Sequence, residues 1–282
     1  MSTSAREKLP SSPTIIGNIV CKGVYPVYKS STCEPFAGKL VTTPINLSLT
    51  GIYLILDEKG MIVFINEEGR RILGIKKGTG AGKNWIKTFI PKNALVIDIG
   101  AHVGEFNLFC SNYLEAKRIY SFEPYQKSYS LLQMNVEKNL TYNYAIYPKD
   151  EMILYISQKS TQLNSVIKEN TEGSENSEKI KCVYLDKIVK ELIKEKYFDL
   201  LKIDVEGSEY EVLKTAIETI KVTKYLLIEI SINRESKLNF IDFFSYLISN
   251  FNFLKVVALN NYNIGNRAID ILFENIDWRG SK

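Results

Sequence analysis

The run LVIDIGAHVGEFNLFC, residues 95–110, is an apolar strand that ends in a glycine turn and passes directly into a helix. Such a junction brings backbone N–H groups and a helix N-terminus up to a ligand, with Gly100 and Gly104 permitting close approach around Ala101 and His102. Nineteen residues beyond Gly104 stands Glu123, at the end of the next apolar run, RIYSF. An acidic side chain at that place in a doubly wound sheet accepts both hydroxyls of an adenosine ribose. Asp98, two residues before Gly100, narrows the ligand. A carboxylate there repels the pyrophosphate of NAD but attracts, directly or through water, the ammonium group of a zwitterionic, sulfonium-bearing ligand. The pattern G-x-G-x-x-G is also absent, so S-adenosylmethionine fits better than NAD. The competing reading is a glycine turn that serves only strand-to-helix packing.

A second segment, FDLLKIDVEGSEYEVLKTA, carries Lys202, Asp204, Glu206 and Glu209 into and just past the carboxyl end of another apolar strand. Ligands of open α/β sheets bind at that edge. At a methyl-transfer site these carboxylates hold the cationic amino acid part of the donor, orient an acceptor hydroxyl, or act as general base. Asp204 is thus a candidate both for cofactor binding and, with Glu206, for catalysis. Acidic residues opening a helix also complement its dipole, which is the preferred reading for Glu209.

These groups need a parallel sheet to position them. From Asn93 onward apolar strands alternate with amphipathic helices, the pattern of βαβ units and a sheet covered on both faces. Strands are expected at 95–99, 118–122, around Tyr144 to Ile146, and at 199–204, 224–230, 254–259 and 269–275. Helices are expected at QKSYSLLQMNVEKN and at SEYEVLKTAIETIK, the latter capped by Ser208. The polar stretch SQKSTQLNSVIKENTEGSENSEK reads as a surface loop about ENTEGSENSE. Tyr125, Tyr129, Tyr142, Tyr144 and Tyr147 cluster mid-chain, most as core or rim, with one or more able to stack on a sugar or the adenine.

Composition sets the outer bounds. The chain has 282 residues, 45% hydrophobic and 24% charged, enough for a sizeable core and outside the disordered and disulfide-dense classes. A net charge of +4 is no electrostatic footprint for nucleic acid. Four scattered cysteines with no C-x-x-C pair and one histidine remove most zinc-site arrangements and argue for a reducing compartment, and no metal ligand is assigned. With no apolar run long enough to span a bilayer and no signal-peptide pattern, neither membrane insertion nor secretion is expected, and the location expected is cytoplasmic. The acceptor patterns at Asn46 and Asn139 are accordingly read as incidental glycosylation triplets.

In order and spacing, VIDIGAHVGEF, SFEPYQKSYSLLQMNVEKN, CVYLDKIV, LLKIDVEGSEYEVLKTA and YLLIEIS resemble the FkbM family of S-adenosylmethionine-dependent methyltransferases. KIDVEG-x-E is the most specific part. The resemblance implies an α/β, Rossmann-like class I methyltransferase fold: a doubly wound, mostly parallel seven-strand sheet whose last hairpin is antiparallel. It also implies S-adenosylmethionine as donor and a hydroxyl acceptor on a sugar, glycan or small molecule. Carried across, Asp98, Gly100, Ala101, His102 and Gly104 form the cofactor loop, Glu123 the ribose contact, and Asp204 and Glu206 the floor of the reaction site. The family often has Asn where this chain has His102, for which a loop-stabilising hydrogen bond is preferred to base duty.

Residues 51–92 resemble the first half of a PAS sensor domain, through the hairpin about Asp57 and Gly60, a helix-like EEGRRILGI, and GKNW followed by FIP. The three closing strands of a PAS domain are missing, so this segment is expected to be a cap on the methyltransferase. The organisation expected is an irregular arm over 1–50, the PAS-like segment over 51–92 and the methyltransferase domain over 93–278. The competing function is a catalytically silent cofactor-binding or sensory module that uses the PAS-like segment for partner contact.

Overall fold

The computed structural model describes residues 84–278, apart from 137–139, 160, 232–238 and 261–267, together with five short strands before residue 66. Contacts divide the chain into Met1–Gly80 and Ala81–Lys282. In the first unit, β1 (Thr14–Ile16) and β2 (Ile19–Cys21) form an antiparallel hairpin. β3 (Ile45–Leu47), β4 (Ile52–Leu56) and β5 (Ile62–Ile65) form an antiparallel three-stranded sheet. The β4–β5 pair is the hairpin expected around Gly60. Three of the five strands fall in residues 14–47, a stretch expected to be irregular. The helix-like EEGRRILGI lies outside the described residues.

In the second unit the strands are β6 (Leu95–Ile99), β7 (Arg118–Phe122), β8 (Thr141–Tyr142), β9 (Ala145–Ile146), β10 (Glu151–Tyr155), β11 (Ser177–Val183), β12 (Phe198–Ile203), β13 (Thr223–Ser231), β14 (Leu254–Asn260) and β15 (Ala268–Asn275). Seven of them make one sheet in the order β14-β15-β13-β12-β6-β7-β8. β15 runs antiparallel to both its neighbours and the other pairs are parallel, which is the expected Rossmann-like arrangement. The helices are α1 (Glu105–Phe109), α2 (Gln126–Asn135), α3 (Leu185–Ile188), α4 (Glu209–Thr215), α5 (Ile217–Lys221) and α6 (Phe240–Asn250). None of the described helices is long and apolar enough to cross a membrane.

The period-2 alternation of each strand sorts the core into two faces. Leu95, Ile97 and Ile99 of β6 pack with Leu201 and Ile203 of β12, and with Val212 and Leu213 of α4. Val96 and Leu200 face the other way, toward Phe106, Phe109, Ile86 and Ile90. The alternation therefore puts Asp98 and Lys202 on the Val96 and Leu200 side, facing the layer that holds α1.

Three local expectations need correction. The third strand of the main sheet is Thr141–Tyr142, whereas Ala145–Ile146 pairs with β11 in a separate sheet ordered β10-β11-β9. The helix expected over 208–221 is broken at Ala216, because Asp186 accepts hydrogen bonds from the Glu218 and Thr219 N–H groups and starts α5 afresh. Ser208 makes no side-chain cap; the Glu209 carboxylate accepts from the Gly207 N–H at 3.0 Å instead.

The unit boundary also differs from the one expected at 92/93. The 3-10 helix Asn84–Thr88, within GKNWIKTFIP, inserts Ile86 into the core below the sheet, where it is wholly buried beside Ile90. An Ile86→Ala substitution is expected to destabilise the second unit by about 2–5 kcal/mol, measured by urea unfolding. A change within experimental error would mean that this turn is not part of that core.

Candidate functional site

Register makes the centre of the site. Asp98 of β6 lies between Lys202 of β12 and Ser121 of β7 as cross-strand partners. The Lys202 ammonium, on a residue only 4% exposed, donates to Asp98 Oδ1 at 3.1 Å and to the Gly100 carbonyl at 3.3 Å. It also lies 3.3 Å from Asp204 Oδ2 and 5.4 Å from the centre of the Phe106 ring. Asn107 donates to Asp98 Oδ2 at 2.7 Å and accepts from Ser121 Oγ at 2.7 Å. Asp98 is completely buried; burial raises its carboxyl from the ordinary range while Lys202 acts against that rise. The Asp98 carboxylate, expected near the ligand's ammonium group, has the Lys202 ammonium as its cationic partner within the protein.

The turn over residues 100–104, the candidate cofactor loop, is closed mainly on the protein itself. Gly100 and Ala101 N–H both donate to the Phe122 carbonyl, and His102 N–H donates to Glu123 Oε2 at 2.9 Å. The Tyr125 N–H donates to Glu123 Oε1 at 2.8 Å, so this carboxylate joins the ends of two adjacent turns. Burial pushes Glu123 up to about 7, against the lowering effect of both N–H donors. A carboxylate has about four acceptor sites, which leaves capacity for ligand hydroxyls. Gly100, at φ +79°, admits no side chain, since a Cβ there would sit 1.8 Å from the Asp204 carbonyl oxygen. Gly104, at φ +95°, rests on Leu132 and Val136. Both glycines therefore fill packing roles, and Gly100 additionally brings the cofactor loop against Asp204.

His102 adopts φ +48°, a left-handed conformation that costs a non-glycine residue of order 1–3 kcal/mol and persists only where neighbours enforce it. Its Nε2 lies 2.9 Å from Thr161 Oγ1, while its buried Nδ1 has no hydrogen-bond partner among the described residues. Burial lowers its pKa to about 4, which keeps the ring neutral at ordinary pH and makes it a weak base. These observations favour the loop-stabilising reading.

Across the sheet edge, Asp204, Glu206 and Glu229 are half-buried and bring carboxylate oxygens within 4.8 Å of one another, close enough to share a cation. Glu206 is also left-handed, at φ +57°, and its carbonyl accepts from Ser165 Oγ at 2.8 Å and Asn170 Nδ2 at 3.2 Å. Glu209 turns away into the Gly207 turn, as expected of a residue that serves its helix; burial pushes it up to about 7. Sequence reasoning passed over Glu229, although it is a lone carboxylate near the carboxyl end of an apolar strand, the same signal that picked out Asp204. It also passed over Thr161, Ser165 and Asn170, for which one polar stretch offers no local signal.

Beside the Glu123 turn, a cleft of about 550 Å³ is lined by Tyr129, Tyr142, Tyr144, Pro124, Asn143 and Lys181 among others. Tyr125 and Tyr147, from the same cluster, are buried. Asn143 donates to the Glu123 and Pro124 carbonyls at 2.9 and 3.0 Å and so ties the cleft to the ribose-contact candidate.

A family profile described as "Methyltransferase FkbM domain" matches residues 98–255, from the first buried carboxylate of the site to the penultimate strand. The chain belongs to the FkbM family. The methyl donor of that family is S-adenosylmethionine. Two fungal proteins are similar in sequence: "Methyltransferase sdnD" of Sordaria araneosa, 27% identical over 160 residues, and "Methyltransferase 1" of Beauveria bassiana, 25% identical over 146 residues. The match takes in 44% of this chain in each case, and it spans 61% and 59% of those two proteins. Among solved structures, a methyltransferase FkbM from Methylobacillus flagellatus is 16% identical with a TM-score of 0.45, over 64% of this chain and 43% of that one. A Streptococcus pneumoniae tRNA methyltransferase homologue, Sp1610, in complex with S-adenosyl-L-methionine is 11% identical with a TM-score of 0.40, over 70% and 73% of the two chains.

The carboxyls of the FkbM domain make its stability pH-dependent. Glu209 moves from 4.5 to about 7 on folding, so the unfolded chain releases this proton first as pH rises. Its contribution is full below about 4.5 and is lost as pH climbs toward 7. The melting temperature is expected to fall across that window, and Glu209→Gln, which still accepts from Gly207, should flatten the fall. Identical slopes for variant and wild type would contradict the assignment.

Proposed function

We propose that the protein transfers a methyl group from S-adenosylmethionine to a hydroxyl oxygen on a sugar, glycan or small molecule. The observation that carries this reading is the convergence of Asp204, Glu206 and Glu229 beside a loop clamped by Glu123. The residues present suit the cofactor: Glu123 retains acceptor capacity, and the neutral His102 ring keeps an unsatisfied buried Nδ1. The cofactor supplies an electrophilic methyl group on a sulfonium that leaves as a neutral thioether. Lys202 fixes Asp204, and the contact of Gly100 with the Asp204 backbone holds the two loops in register. Asp204 or Glu206 accepts the hydroxyl proton as the oxygen attacks, and the rest of the rate enhancement comes from alignment of donor and acceptor.

One further feature supports a small hydroxyl acceptor. The net charge of +4 over 282 residues lacks the basic excess with which proteins neutralise phosphates.

The test begins with calorimetric binding of S-adenosylhomocysteine. If ribose hydroxyls donate to Glu123, its ionised form is the better acceptor, so affinity should rise from pH 6 to pH 8 around its pKa of about 7. Glu123→Gln should bind roughly tenfold more weakly, about 1.4 kcal/mol, with no pH trend. No binding by the wild type would refute the cofactor assignment. Incubation with methyl-labelled S-adenosylmethionine and a cell extract, followed by mass spectrometry, then identifies the acceptor. Label on nitrogen or carbon, or on nucleic acid, would overturn the proposed substrate class.

A further inference from the structure

The polar stretch between β10 and β11 is exposed at Gln162, Glu169, Glu172, Glu175 and Asn176, as a surface loop should be, yet it buries four hydroxyl side chains. Thr161, Ser165, Thr171 and Ser174 are each at most 5% exposed, which ties the loop down at those points. Ser165 is pinned at its backbone, where its N–H donates to the Tyr155 carbonyl and its carbonyl accepts from the Tyr155 N–H. Its hydroxyl is thereby aimed at the Glu206 carbonyl, and Asn170 adds a second donor to the same oxygen. Four residues before Ser165, Thr161 meets the His102 ring. His102 and Glu206 are the two left-handed non-glycine residues of the site turns, one on the cofactor side and one on the acceptor side. Both are held by this one short stretch.

We infer that residues 161–170 are a positioning strap that couples cofactor binding to the acceptor-side turn, with Thr161 acting through His102 and with Ser165 and Asn170 acting through Glu206. This rests on the cofactor reading given above. A loop residue in a left-handed conformation relaxes unless its neighbours enforce it, so the geometry at each site turn depends on the strap. Ordering His102 through bound cofactor stiffens Thr161, and the stiffened strap lowers the cost of holding Glu206 in place for the acceptor.

Hydrogen exchange by mass spectrometry on the full chain, with and without S-adenosylhomocysteine, tests the coupling without an identified acceptor. The wild type should gain protection on binding both in peptides covering 161–170 and in those covering 204–208. Thr161→Val should weaken S-adenosylhomocysteine five- to twentyfold, and Thr161→Ser, which keeps the hydroxyl, should restore affinity to within twofold. The Ser165→Ala/Asn170→Ala double variant should keep the ligand-induced protection of its strap peptides but lose that of 204–208. A merely structural strap predicts something else: lowered melting temperatures in every variant, with no dependence of 204–208 on ligand. That result, or wild-type affinity in Thr161→Val, overturns the inference and leaves the cofactor reading intact. Failure of the wild type to bind S-adenosylhomocysteine removes both.

Discussion

A lysine ammonium taken out of water needs compensation on every side, and the site is built around one that has it. Lys202 meets the Asp98 carboxylate, the Gly100 carbonyl, the Asp204 carboxylate and the face of Phe106. Desolvating two charges costs several kcal/mol per ion, and the attraction offsets this only with close geometry and further hydrogen bonds. Asn107 and Ser121 supply those bonds to Asp98. The pair therefore adds little net stability, yet it fixes which carboxylate stands beside which loop. It requires β6 and β12 to be neighbours in one register, and from that register follows the contact of Gly100 with the Asp204 backbone.

The titrating groups around this pair are differentiated by environment. His102 is kept neutral at ordinary pH by the burial around its ring, whereas Glu123 and Glu209 are both drawn up to about 7. Similar chemistry serves different ends in these two carboxyls. Glu123 receives two N–H groups from two turns and joins their ends. Glu209 accepts from the Gly207 N–H of its own turn and starts α4. Asp204, at the same sheet edge, is less buried than either: its side chain is 24% exposed and lies 3.3 Å from the Lys202 ammonium.

Much of this was legible in the sequence. The runs LVIDI and RIYSF coincide with β6 and β7; β6 is buried along its whole length, as expected of a continuous apolar run in a parallel sheet, and β7 is buried from Tyr120 to Phe122. The carboxylates at the strand ends were legible for the same reason: a charge that ends an apolar run must lie at the sheet edge or find a partner. Features that depend on distant residues were not. The break at Ala216 comes from Asp186, some thirty residues earlier. The displacement of the third strand to Thr141–Tyr142 reflects the pairing of Ala145–Ile146 with β11 in a second sheet. The strap is invisible locally, since polar side chains that bond to other loops carry the same letters as those that bond to water.

β14 borders the main sheet and, among the described residues, has only β15 as a strand neighbour. Its outer edge would offer unpaired N–H and C=O groups to another chain, and it bears exposed Val256 and Leu259, the combination that templates aggregation. The register shift between Val256 and Ala258 interrupts that template. A bulge bends the strand and increases its twist, so a second copy cannot zip along it in continuous register. Lys255, also exposed on this strand, adds a charge that an approaching copy would have to bury. The irregularity at Val256 thus breaks the regular repeat that strand-to-strand association needs, on the flank of the sheet farthest from β8.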